Sequence, residues 1–140
     1  MRFSAALLVA AAWFALAPAA SAETREDFLF RLRSALAARD YPAIARCIEF
    51  EGAHSETRAA VWKMIDQLVA WPTHFFKVTE RKGSGPLIMK RDGKTHTLNG
   101  DWTFQIHIHI RKPPSRGFVL PAGKTSDGRY AILLAVPQKS

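Results

Sequence analysis

The stretch Trp102–Ile110 constrains this chain most, because nine residues of strict apolar–polar alternation describe a β-strand. Trp102, Phe104, Ile106, Ile108 and Ile110 fall on one face, and Thr103, Gln105, His107 and His109 on the other. One apolar and one polar face imply an antiparallel sheet covered on a single side. Something else in the chain must supply the cover.

The first half of the sequence supplies it as helices. Thr24 followed by Asp27 makes a capping box, and Phe28, Leu32 and Leu36, with Leu29 and Ala35 alongside, form one apolar stripe. Pro42 suits the first turn of a second, short helix with Ile44, Ala45 and Ile48 on its inner face, ended by Gly52. Ser55 is expected to cap a third helix, in which Val61, Met64, Ile65, Leu68 and Val69 recur at i, i+3, i+4, i+7 and i+8. Trp71-Pro72 stops it.

Beyond Pro72 the hydrophobic period changes from 3.6 to 2. Strands are expected over 74–81, 87–91, 94–98, 102–110, 118–120 and 130–136. Asp92-Gly93 is a two-residue hairpin turn, Asn99-Gly100 reads as another turn, and Gly83-Ser84-Gly85-Pro86 is a loop without the pattern of a phosphate-binding motif. Three helices followed by antiparallel strands make an α+β domain with the helices packed on one face of the sheet.

Residues 1–22 read as a signal peptide. Arg2 is the charged start, 5–16 an unbroken apolar run, and Ala20-Ser21-Ala22 a cleavage site. Twelve helical residues rise roughly 18 Å, short of the roughly 30 Å core of a bilayer. The expected working chain is therefore a single domain over 23–140, exported to the periplasm or the extracellular medium, with no transmembrane segment. Its one cysteine, Cys47, forms no internal disulfide and reads as a small buried hydrophobe beside Ile44 and Ile48.

Charge is distributed unevenly. Residues 23–76 hold seven bases and eight acids, whereas residues 77–140 hold twelve bases and four acids. The C-terminal half therefore favours an anionic surface or ligand, or is kept soluble as a charged sheet edge. Lys90, Arg91 and Lys94 form one basic group, and Arg111, Lys112 and Arg116 another. In a simple meander both groups lie at the same end of one sheet. Neither a nucleic-acid-binding motif nor a cofactor motif is present, so neither partner is expected.

The element order, with Ala37-Ala38-Arg39-Asp40-Tyr41-Pro42-Ala43-Ile44-Ala45 and the pair Leu120-Pro121-Ala122-Gly123 and Asp127-Gly128-Arg129-Tyr130, resembles the nuclear-transport-factor-2-like superfamily. That superfamily includes ketosteroid-isomerase-like and polyketide-cyclase-like proteins, and the likeness is to its secreted members. The resemblance implies a cone, in which a curved sheet wraps a long helix and leaves a pocket at the open end. It also implies pairing of two copies through their sheets. Catalytic members carry an acid or histidine inside the pocket, and the apolar face of 102–110 has no ionisable residue.

Three functions follow as expectations. The first is a non-catalytic, exported domain that binds a small apolar ligand or a protein partner, with Tyr41, Trp62, Trp102 and Tyr130 bordering the pocket. The second is a small isomerase, dehydratase or cyclase using Asp66 with Tyr41 or Tyr130, which needs Asp66 desolvated inside the pocket. The third is metal binding by His107 and His109, whose Cα atoms in a strand are roughly 6 to 7 Å apart. A third ligand is lacking: if Asn99-Gly100 closes a hairpin, His96 lies roughly 13 Å from His107. Without metal, the two histidines face solvent or a second copy.

Overall fold

The computed structural model describes residues 23–71, 73–111 and 116–138. Residues 1–22, with the expected signal peptide, lie outside the described residues, as does Lys112.

The described chain is α+β. Helix α1 (Arg25–Ala38) starts at the anticipated capping box: Thr24 Oγ1 accepts from Asp27 N–H at 3.1 Å, and Asp27 accepts from Thr24 N–H at 3.3 Å. It ends on Arg39 in the left-handed region (φ 53°), whose N–H reaches the carbonyls of Ala35 and Leu36. Phe28, Leu32, Ala35 and Leu36 are buried, as the stripe predicts. Asp40 caps α2 (Tyr41–Ala45) through Ala43 N–H, with Pro42 in the first turn.

Helix α2 stops at Ala45, well before the expected Gly52. From Cys47 the backbone runs beside Ile132: Ile132 N–H donates to the Cys47 carbonyl at 2.8 Å, and Glu49 N–H to the Ile132 carbonyl at 2.9 Å. A distant strand thus takes the hydrogen bonds that another helical turn would have used. Helix α3 (Ser55–Ala70) buries Val61, Ile65 and Leu68. Its N-cap is His54, not Ser55, and no side chain caps it. Trp71 is extended (φ −125°, ψ 141°), as a residue before proline prefers.

Among the described residues, seven strands form two antiparallel sheets rather than one meander. The larger has the order β1 (Thr73–Glu80), β4 (Asp101–Ile110), β5 (Arg116–Lys124), β6 (Tyr130–Ile132). The smaller has the order β2 (Ile88–Arg91), β3 (Lys94–Leu98), β7 (Ala135–Pro137). The expected strand over 130–136 is therefore two strands, with the chain passing from one sheet to the other at Leu133-Leu134. Asn99-Gly100 likewise leads from β3 into the other sheet and closes no hairpin.

Strand β4 is central to the larger sheet, and Phe104, Ile106, Ile108 and Ile110 are 1% exposed or less. Burying four such side chains contributes about 6 to 12 kcal/mol before entropy is counted. Phe28 of α1 meets Phe104 edge-on at 6.3 Å. The alternation slips at a bulge between Trp102 and Phe104, which face Gly123 and Ala122. A Cβ on Gly123 would stand 1.7 Å from the Asp101 carbonyl oxygen, so this close approach requires glycine.

One side chain ties the sheet crossover to the segment between α2 and α3. Asn99 Nδ2 donates to the carbonyls of Glu49 (2.7 Å) and Glu51 (3.1 Å), and Asn99 Oδ1 accepts from Leu134 N–H (2.9 Å). Its backbone N–H donates to the Leu134 carbonyl at 3.0 Å. The crossover at Leu133-Leu134 is held by this residue.

A candidate ligand cleft between α3 and the β2–β3 hairpin

Register places the cleft. Met89 pairs with His96 and Arg91 with Lys94 across the Asp92-Gly93 turn. In a two-residue hairpin those pairs share a face with Leu87 and Leu98, while Ile88, Lys90, Thr95 and Thr97 occupy the other. The first face looks onto the N-terminal half of α3, where Thr57, Ala60, Val61 and Met64 recur at i, i+3, i+4 and i+7. Between them lies a cleft of about 760 Å³, also lined by Leu120, Pro121 and residues 132–135. Its walls are mainly apolar. Polar groups gather at the hairpin tip and helix start: Arg91, Asp92, Lys94 and His96 on one side, His54 and Glu56 on the other.

The aromatic residues anticipated to border a pocket lie in three other places. Tyr41 and Trp62 stack at 6.4 Å on the outer surface, Phe50 stacks on Trp62 at 6.1 Å, and Arg58 stands 5.5 Å over Phe50. Tyr41 donates its hydroxyl proton to Asp66 Oδ1 at 2.9 Å, a bond that raises the tyrosine pKa. Asp66 is exposed. The acid–base chemistry expected of it needs a desolvated carboxyl, and none of Asp66, Tyr41 and Tyr130 lines the cleft.

Trp102 borders a smaller hollow of about 350 Å³, which shares Leu87 and Leu98 with the cleft. Arg81 lies 4.3 Å over its ring and donates to the carbonyls of Trp102 and Gly85. Tyr130 stacks on Phe28 at 6.4 Å and leans on Phe104 at 6.1 Å, so it packs against the core.

The basic groups separate. Arg91 and Lys94 line the cleft and Lys90 is on the hairpin's opposite face, whereas Arg111 and Arg116 are at the far end of β4 and β5. His107 accepts or donates at 2.9 Å with Thr79 Oγ1 and pairs across strands with Lys77 and Val119. His109 lies against Gly117. Among the described residues no group of three or more His, Cys, Asp or Glu side chains could hold a metal ion. Val119 is an exposed apolar residue on this uncovered sheet face.

Cys47 is fully buried, with Arg31 3.6 Å from its sulfur; burial pushes the thiol pKa up, against the pull of the guanidinium. No helix among the described residues is long and apolar enough to cross a membrane.

Of the residues expected at a site, Arg91 and Lys94 line the cleft, whereas its apolar lining carries no aromatic side chain that would mark it in the sequence. The available signal was the fixed register of the Asp92-Gly93 hairpin, which already puts Leu87, Met89, Arg91, Lys94, His96 and Leu98 on one face. Comparison with protein-family models, with curated proteins and with solved structures finds no match.

Proposed function

We propose that this is a non-catalytic, exported domain that holds a small apolar ligand in the cleft between α3 and the β2–β3 hairpin. The observation that carries the reading is the cleft itself. Its volume of about 760 Å³ falls in the range of roughly 300 to 1,000 Å³ typical of small-molecule sites, and its walls are mainly apolar, with the charged groups gathered at one end. Met64 of α3 and Met89 of the hairpin both line it, and methionine adapts its shape to a guest. Export rests on the sequence of residues 1–22. The cone-shaped, nuclear-transport-factor-2-like kinship is part of the same proposal, supported by three helices preceding a sheet built on one long central strand.

The test is binding of the neutral dye Nile red, followed by its fluorescence. Ala60 is exposed on α3 and lines the cleft, so Ala60→Trp fills the space without disturbing the core. The native protein should bind, and Ala60→Trp should weaken binding about tenfold or more, a change of about 1.4 kcal/mol. Asp66→Ala, outside the cleft, should bind like the native chain. No binding by the native protein, or equal binding by Ala60→Trp, overturns the reading.

A further inference from the structure

We infer that the ligand of this cleft is an amphiphile with an anionic head, whose carboxylate or phosphate lies between Arg91 and Lys94; the inference rests on the apolar cleft proposed above. The hairpin face grades along its length. Leu87 and Leu98 at its base and Met89 with His96 in its middle are half-buried, and Arg91 with Lys94 at its tip is exposed. A guest following that gradient has an apolar tail inward and a charged end outward.

The sign of the charged end follows from the cross-strand pair. Arg91 and Lys94 stand directly opposite one another, and like charges in that position destabilise a hairpin. Among the described residues no acid forms an ion pair with either of them. Asp92 and Glu56 are nearby, but the ion pairs among the described residues engage Arg25, Arg31 and Arg129, and neither Arg91 nor Lys94 takes part. An anion between the two would remove the repulsion and accept charge-assisted hydrogen bonds from both. A neutral or cationic guest gains neither.

Calorimetric titration with three guests of one chain length, dodecanoate, dodecanol and dodecylammonium, tests this. Dodecanoate should bind about tenfold or more tighter than dodecanol. The double variant Arg91→Gln, Lys94→Gln, altered at two exposed positions and checked for fold by circular dichroism, should lose that preference and keep its affinity for dodecanol. Equal binding of dodecanoate and dodecanol, or a preference for dodecylammonium, overturns the anionic head and leaves the apolar cleft standing. Binding of none of the three overturns both. Co-sedimentation with phosphatidylglycerol vesicles separates the sources of such a guest. Pelleting by vesicles without binding of free dodecanoate would assign the basic pair to a bilayer surface and overturn the inference.

Discussion

Replacing Asn99 with alanine should loosen the crossover that joins the two sheets. The side chain makes three hydrogen bonds, to the carbonyls of Glu49 and Glu51 and from Leu134 N–H. Each intramolecular hydrogen bond contributes a net of about 0.5 to 1.5 kcal/mol. The bonds to Glu49 and Leu134 are part-buried and the one to Glu51 is exposed, which places the loss at about 2 to 3 kcal/mol. For a domain of this size that is a fall of about 10 °C in Tm, read by thermal circular dichroism. Asn99→Asp sharpens the test. It keeps the acceptor for Leu134 but turns a carboxylate toward two carbonyl oxygens, so it should be about 1 kcal/mol worse than alanine. A drop of less than about 2 °C for Asn99→Ala, or Asn99→Asp as stable as the native protein, would show that the crossover is held elsewhere.

Two further outcomes are expected. Gly123→Ala puts a methyl group 1.7 Å from the Asp101 carbonyl oxygen, so the bulge must open; a loss of about 3 kcal/mol or more in urea unfolding is expected, and a neutral change would refute the close approach. Thr125 and Arg129 bond the Asp127 carboxylate and hold its pKa at about 2 against 3.8. Because the folded value is depressed, its stabilising contribution is complete above the unfolded value and is lost as pH falls from 3.8 toward 2. Carboxyl chemical shifts followed against pH should give that midpoint, and Thr125→Ala should raise it; a midpoint near 3.8 in the native protein sinks the assignment.

Local signals were legible in proportion to how little they depended on distant parts. Thr24 and Asp27 announce the start of α1 because both halves of the capping box lie within one turn. The alternation of β4 is complete in itself, and Asp92-Gly93 sets the register of β2 and β3 with no outside help. Asn99-Gly100 is different: its residue types suit a hairpin, yet its true partners are Glu49, Glu51 and Leu134, far away in the chain. The apolar run 130–136 has no local mark at Leu133-Leu134, where it changes sheets. The helix expected up to Gly52 gives way for the same reason, since Ile48 finds Ile132. The cleft inherits this division. Its hairpin wall could be read from register, but its meeting with α3 depends on that long-range crossover.

The passage of the chain between sheets at Leu133-Leu134 also bears on the order in which the molecule assembles. Met64 and Leu134, which both line the cleft, are about 70 positions apart, so their encounter closes a long loop and raises the entropic cost of forming the cleft. Helix α3 and the β2–β3 hairpin need only near neighbours and can form early. The smaller sheet becomes complete only when β7 docks on β3. Competence to hold a guest should therefore arise late in folding, and a guest that arrives then stabilises contacts between distant parts of the chain.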